Sequence, residues 1–265
     1  MWRDIPVSVA SPFDPLPDSA LSRIAAVPAR VGQVEVVEWE HYRLLRCGGS
    51  SVQSIMDIRQ PARVISPVAA LLLCALPMTP HAQHALNLGV GGGTLERFLG
   101  AYYPELALTS VEESPEVCSL AGEFFNVDEA SVAVTSAQSF LARSSATYDV
   151  IFCDLFEGER AAPCVASSQF LEDLKVSTSD LGTVAFNLLA LDQAELLSTL
   201  QVIREYFGWM LLAEIPSHGN IVVFARCSPP ARDSDALEAS LRAFLAASDV
   251  EPLPFLLRLH AVPGR

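Results

Sequence analysis

The sequence has few positive charges and lacks any cysteine and histidine spacing typical of a metal site. Its 265 residues include 17 lysines and arginines against 31 aspartates and glutamates, which gives a formal net charge of −14. This charge repels phosphate backbones and anionic lipids, so we expect no nucleic acid and no membrane as partner, whereas a cationic substrate is compatible with it. The six cysteines are scattered without a CxxC pair, which indicates reduced thiols in a cytoplasmic protein.

Long apolar runs are also absent. The most hydrophobic stretch, residues 64–78, is interrupted by Pro67 and Pro77, which leaves too few residues to span a bilayer and predicts a buried helix at 68–76. No apolar leader follows the first residues, so no signal peptide is expected. Because 51% of the residues are hydrophobic, the chain has ample surface to bury, and its length fits one large α/β domain with a small appendage.

The pattern changes twice along the chain. The stretch up to about residue 30 lacks periodicity and is interpreted as an irregular arm or short helix on the surface. Alternating stretches then predict a small antiparallel sheet, with strands at 34–39, 42–45 and 51–58. From about residue 84 strands alternate with helices, which indicates a parallel sheet with crossover helices. We place a domain boundary between residues 1–80 and 81–265.

The larger domain is predicted to end in a hairpin that adds one antiparallel strand, with its turn at 216–219. Its predicted strands are 85–88, 106–111, 131–134, 149–153, 183–188, 210–214 and 220–225. Its predicted helices are 95–102, 115–125, 138–143, 168–176, 192–207 and 234–247.

A glycine run between the first strand and first helix of this domain is the strongest local signal. Gly89, Gly91 and Gly93 let the chain turn sharply and let a ligand approach the amides at a helix N-terminus, although the glycines alone also fit a simple tight turn. The next predicted strand ends at Glu112, where a carboxylate can accept two hydrogen bonds from a ribose diol. The adjacent Glu113 is the alternative, since only one of the two can end the strand in the right direction, and the family resemblance given below favours Glu112. Together the two features predict a ligand that contains a nucleoside.

Two further acids follow a buried strand at the same edge of the sheet. Asp154 comes directly after the apolar run 149–153, and Glu157 lies three residues later. Asp154 can take a proton from an amine nucleophile, and Glu157 can hold a second positive charge. The alternative for both is a helix cap or a solvated loop acid.

These motifs, in this order and spacing, resemble the spermidine synthase family, specifically its divergent bacterial spermidine-synthase-like members. The resemblance rests on residues 89–95, 111–117, 148–154 and 182–188 and extends over about residues 53–225. It implies a small N-terminal antiparallel β domain before a class I S-adenosylmethionine-methyltransferase-like Rossmann domain. It also implies a homodimer that moves an aminopropyl group from decarboxylated S-adenosylmethionine to a diamine such as putrescine, with no tightly bound cofactor.

The resemblance also implies roles for individual residues. Glu112 would bind the ribose, the glycine loop would lie beside the sulfonium tail, and Asp154 would deprotonate the attacking amine. Gln53 falls where the family has a glutamine near the substrate tail. Ser136 stands where the family has an aspartate that receives the adenine amino group.

The chain departs from the family pattern at two other positions. Gly92 replaces the loop aspartate that holds the donor's amino group, and Ile65, Ser66 and Pro67 stand where a tyrosine is expected. Three hypotheses follow: an aminopropyltransferase, a methyltransferase that uses S-adenosylmethionine itself, and a degenerate, non-catalytic protein that binds a nucleoside or a partner. Losing the loop aspartate favours the second, because the full donor carries a carboxylate that an aspartate would repel.

Overall fold

The computed structural model describes residues 20–30, 32–48, 52–157, 160–189, 193–214, 219–231, 233–248 and 258–261. Residues 1–19 of the predicted arm and most of the predicted turn at 216–219 lie outside these ranges. No helix in the described part of the chain is long and apolar enough to cross a membrane.

Four antiparallel strands form a sheet near the N-terminus, in the order in which they occur along the chain. They are β1 (Ser22–Ala29), β2 (Gly32–Trp39), β3 (Tyr42–Cys47) and β4 (Val52–Asp57). The prediction of an irregular arm or helix is wrong for 22–29, which pairs with β2 along its whole length. The signal was weak because β1 is an edge strand: it has a register shift after Arg23 and contains Pro28, which only an edge position tolerates.

The predicted single helix at 68–76 is broken in two. The structure has α1 (Pro67–Leu73) and α2 (Ala75–Met78), with Cys74 between them. Pro77 explains the break, because it has no N–H to donate to the carbonyl of Leu73 and its ring would clash with that carbonyl. Both helices pack in the core of the larger sheet, and the domain boundary at residue 80 stays a prediction.

The larger sheet has eight strands in the order β14-β12-β13-β11-β8-β5-β6-β7. The strands from β11 to β7 in this order are parallel, and β13 is antiparallel to both of its neighbours. The strands are β5 (His84–Leu88), β6 (Ala107–Glu112), β7 (Val132–Val134), β8 (Tyr148–Cys153), β11 (Thr178–Leu189), β12 (Trp209–Glu214), β13 (Asn220–Arg226) and β14 (Arg258–Ala261). Two short strands, β9 (Phe156–Glu157) and β10 (Arg160–Ala161), form a separate ribbon.

Helices cover both faces of this sheet. They are α3 (Thr94–Tyr102), α4 (Pro115–Phe125), α5 (Ala137–Leu141), α6 (Ser168–Val176), α7 (Gln193–Tyr206) and α8 (Ser234–Ala247). Residues of α1, α2, α3 and α8 share one apolar cluster with the sheet, and residues of α5, α6 and α7 share another. The smaller sheet packs on α4 through a third cluster, which brings β4 close to the carboxyl ends of β5 and β6.

Candidate active site

The glycine loop, residues 89–93, leaves the sheet at the end of β5 and turns at once into α3. The Gly89 N–H donates to the carbonyl of Val111 at 2.9 Å, and the Asp154 N–H donates to the carbonyl of Leu88 at 2.9 Å. Gly89 has a φ of +94°, and a Cβ there would lie 2.2 Å from the carbonyl oxygen of Asp154. The loop therefore passes so close to the end of β8 that only glycine fits.

Arg97, in the first turns of α3, binds the glycine loop with its guanidinium group. It is 9% exposed and donates to three carbonyls, those of Gly92, of Phe125 at 2.8 Å and of Pro61 at 2.7 Å. Burial lowers the pKa of its guanidinium to about 10, so it keeps its charge at neutral pH. The sequence pattern does not mark Arg97 as a site residue, because a charged residue in an amphipathic helix usually lies on the solvated face.

Ser54 on β4 occupies the space beside Gly92. The Gly92 N–H donates to the Ser54 Oγ at 2.8 Å. A Cβ on Gly92 would lie 2.7 Å from the Ser54 Cβ and 3.2 Å from the Phe125 Cδ1. The place where the family resemblance expects an aspartate side chain is therefore filled by a serine from the smaller sheet.

Glu112, the last residue of β6, binds the glycine loop with its carboxylate. One oxygen, Oε2, accepts from the N–H groups of Val90 at 3.1 Å and Gly91 at 3.2 Å. The other, Oε1, accepts from the N–H of Ser114 at 3.0 Å. Each carboxylate oxygen can accept about two hydrogen bonds, so Oε1 retains room for one ligand hydroxyl.

Asp154 follows β8 and is half-buried beside the loop. Its Oδ1 accepts from the Nδ2 of Asn187 on β11 at 2.7 Å, and Asn187 in turn accepts from the Nδ2 of Asn220 on β13 at 3.0 Å. The pKa of the Asp154 carboxyl is raised to about 6, because burial and the charge of Glu112 raise it more than the Asn187 hydrogen bond lowers it. The carboxyl thus changes its protonation state near neutral pH, as a general base should.

Glu157 lies at the rim of the site, where it faces a cation of the chain itself. Its side chain is 49% exposed, and its Oε1 is 3.8 Å from the Nη2 of Arg30. The same Arg30 nitrogen is 3.5 Å from the Oε2 of Glu113, which is exposed. Arg30 therefore bridges the two rim acids.

Two predicted ligand residues, Gln53 and Ser136, remain. Gln53 is exposed and sits at a register shift in β4, one residue before Ser54. Ser136 follows β7 and caps α5, its Oγ accepting from the Ser139 N–H at 3.2 Å. Their roles toward a ligand stay predictions.

A second buried acid lies beneath the loop. The Oε1 of Glu96 accepts from the Nδ2 of Asn87 and from the Oγ of Ser110, both at 2.7 Å. Burial raises the pKa of Glu96. The Glu96 Oε2 and the Asn87 Oδ1 have no hydrogen-bond partner among the described residues. This cluster links α3 to β5 and β6.

The geometry brings the glycine loop, Glu112 and Asp154 together at the carboxyl ends of β5, β6 and β8, as their order in the sequence predicts. The carboxylates of Glu112 and Asp154 interact electrostatically, and no cation is recorded between them in the described residues. Such a site attracts cationic groups and can accept a proton from one of them.

No family model matches the chain. Among curated proteins it is similar to the polyamine aminopropyltransferase of Chromobacterium violaceum, with 24% identity over 220 residues, 81% of this chain and 84% of the relative. Among solved structures it is similar to a probable spermidine synthase from Corynebacterium glutamicum, with a TM-score of 0.67, 18% identity and coverage of 88% of this chain and 98% of the other. The chain is therefore similar in sequence to polyamine aminopropyltransferases and in fold to spermidine synthases.

The fold of the chain is also similar to that of a methyltransferase. Human methyltransferase-like protein 13, solved in complex with SAH, matches with a TM-score of 0.56 and 22% identity over 66% of this chain and 90% of the other. The predicted fold class, a class I methyltransferase-like α/β domain with a small antiparallel sheet before it, is confirmed.

Proposed function

We propose that the protein transfers an aminopropyl group from decarboxylated S-adenosylmethionine to a diamine such as putrescine. The observation that carries this proposal is Asp154, a half-buried carboxyl with a pKa of about 6 beside a glycine loop and a second carboxylate. The relatives named polyamine aminopropyltransferase support the reaction class. Both reactants are cationic, which suits an uncompensated pair of acids.

The donor would lie across the glycine loop with its ribose at Glu112. The free capacity of Oε1 takes one ribose hydroxyl directly. The second hydroxyl has to compete with the long bonds from Val90 and Gly91, so a small movement of the loop accompanies binding. The sulfonium then lies in the negative field of Glu112 and Asp154.

The transfer removes one proton from the diamine, forms one C–N bond and breaks one C–S bond. The ionised Asp154 accepts a proton from the ammonium group of the diamine, which leaves the nitrogen with a lone pair. This pair attacks the propyl carbon bound to sulfur, a C–N bond forms, the C–S bond breaks, and its electrons neutralise the sulfonium to give methylthioadenosine. Positioning of the two cations supplies most of the rate, because the sulfonium is already activated.

The test is product formation from decarboxylated S-adenosylmethionine and putrescine. We expect spermidine and methylthioadenosine in equal amounts, and we expect Asp154→Asn to lower kcat by about a hundredfold or more. The control is methylthioadenosine binding to Asp154→Asn by calorimetry, which stays near that of the unaltered protein if only proton transfer is lost. Full activity of Asp154→Asn would contradict the role of the carboxyl.

A methyltransferase acting with S-adenosylmethionine is the second candidate, and Ser54 is the observation that favours it. The Ser54 Oγ accepts from Gly92, and its own proton remains able to bind a carboxylate, which only the full donor carries. Calorimetry with the two donors separates the candidates. Tighter binding of decarboxylated S-adenosylmethionine supports the first, tighter binding of S-adenosylmethionine supports the second, and no heat from either donor contradicts both.

A further inference from the structure

Two asparagine side chains on neighbouring antiparallel strands are linked to Asp154 by hydrogen bonds. Asn187 pairs with Val222 and Asn220 pairs with Leu189, so the two amides are diagonal neighbours across β11 and β13. The Nδ2 of Asn220 donates to the Oδ1 of Asn187 at 3.0 Å, and the Nδ2 of Asn187 donates to the Oδ1 of Asp154 at 2.7 Å. The three side chains form one chain of hydrogen bonds that ends on the carboxyl.

A buried asparagine is unusual in a central strand, and Asn187 occupies such a position. It is 5% exposed, and the residues on either side of it, Phe186 and Leu188, are buried and apolar. Asparagine is depleted in strands, and a buried amide costs free energy unless it is hydrogen-bonded. Asn87 on β5 shows the contrast, since its Oδ1 is buried without a partner among the described residues. At Asn187 both ends of the amide are bonded.

We propose that Asn187 and Asn220 are positioning residues that orient the Asp154 carboxyl and reserve its Oδ2 for the proton of the substrate. Among the described residues, only Asn187 donates a side-chain hydrogen bond to this carboxyl, and it does so to Oδ1. This inference rests on the proposed function for the substrate, but the orientation itself follows from the two hydrogen bonds.

Asn220 determines which end of the Asn187 amide faces Asp154. Because Asn220 donates to the Asn187 oxygen, the Asn187 NH₂ group points at the carboxyl and stabilises its ionised form. Without Asn220 the amide can turn and present its oxygen to a protonated Asp154. Both asparagines therefore favour the ionised form of Asp154. Asn187 does so by its own hydrogen bond, and Asn220 does so by orienting the Asn187 amide.

Other groups around the carboxyl act against ionisation. Glu112 on β6 raises the pKa of Asp154 by its charge, and burial raises it more. The thiol of Cys153 precedes Asp154 on β8 and interacts with Cys164; both thiols have raised pKa values and are neutral near pH 7. Of the interactions that shift the pKa of this carboxyl, the Asn187 hydrogen bond is the one that lowers it.

The test compares Asn187→Leu and Asn220→Leu with the unaltered protein in the pH dependence of kcat/KM. Leucine has the same number and branching of side-chain heavy atoms as asparagine and has no donor. We expect the acid limb of the profile to move up by about one pH unit in Asn187→Leu and by less in Asn220→Leu, so that the loss of activity shrinks as the pH rises. A loss that is equal at every pH, with the acid limb unmoved, would overturn the proposal.

A carbon-13 NMR titration of the aspartate carboxyls, assigned with Asp154→Asn, measures the same property without turnover. A higher pKa of Asp154 in the leucine variants supports the positioning role even if no aminopropyl transfer is found, and an unchanged pKa overturns it. If Asn187→Leu does not fold, Asn220→Leu decides alone, since Asn220 is only half-buried at the start of β13.

Discussion

The two halves of the site, which we propose bind the donor and the acceptor of the aminopropyl group, are held in different ways. The donor half, the glycine loop with Glu112, is bound mostly through main-chain groups: Glu112 accepts three backbone N–H groups and Arg97 donates to three carbonyls. The acceptor half, Asp154 with Glu157, is held by side chains, namely Asn187 and the exposed Arg30. The donor half is therefore formed when the chain folds, whereas the acceptor half can be altered by single side-chain changes that leave the fold intact.

The largest effect on stability and binding is expected at Gly89, where the glycine loop contacts the main chain of Asp154. In Gly89→Ala the new Cβ would lie 2.2 Å from the Asp154 carbonyl oxygen at a φ of +94°. We expect the free energy of unfolding to fall by about 3 kcal/mol and the binding of methylthioadenosine to disappear. Chemical denaturation and calorimetry measure the two effects.

Gly100→Ala is the matched control for Gly89→Ala. Gly100 is in α3, and a Cβ there would meet nothing within 4 Å. It should stabilise the protein slightly, by up to about 1 kcal/mol. Equal stability of the two variants would refute the close packing of the loop on β8.

The second largest effect is expected when the charge of Glu112 is removed, because this change acts differently on the two halves of the site. Glu112→Gln keeps one accepting oxygen and replaces the other with an NH₂ group that cannot accept from the loop. We expect methylthioadenosine to bind about tenfold more weakly. The pKa of Asp154 should fall below about 6, because the charge that raises it is gone. Glu113→Gln, one residue away and exposed, should change neither quantity.

The third effect concerns stability in the acceptor half. The pKa of Asp154 is raised from 3.8 to about 6 in the folded protein, so the folded state holds this proton more tightly than the unfolded chain. Stability is then lost as the pH rises from about 4 to about 6. Asp154→Asn avoids this loss, and thermal melts should show it more stable than the unaltered protein by about 1 kcal/mol near pH 7 and not near pH 4. A lower melting temperature of the variant at both pH values would contradict this.

The smallest effect is at the rim. Arg30 is 68% exposed and bridges Glu113 and Glu157, so a diamine that uses Glu157 has to displace it. We expect Arg30→Ala to lower the KM for putrescine by about twofold at low salt, and less at high salt. Arg23→Ala is the control, since Arg23 on β1 is also exposed but pairs with Glu35. An equal change in both variants would mean that Arg30 acts only through general charge.

The core of the large sheet could be predicted from the sequence, because apolar runs, glycines and helix caps are local signals. Ser114 and Pro115 begin α4 as their types indicate. The contacts that complete the site were missed because they join distant parts of the chain. Ser54 reaches Gly92 from another sheet, and Asn187 meets Asn220 only once β11 and β13 pair. No single-residue pattern marks such partners.

The most direct test of aminopropyl transfer offers both donors at once. Equal concentrations of S-adenosylmethionine and its decarboxylated form are incubated with the protein and putrescine, and the amine products are identified by mass spectrometry. We expect spermidine together with methylthioadenosine. A methylated amine with S-adenosylhomocysteine, or putrescine left unchanged, would contradict it.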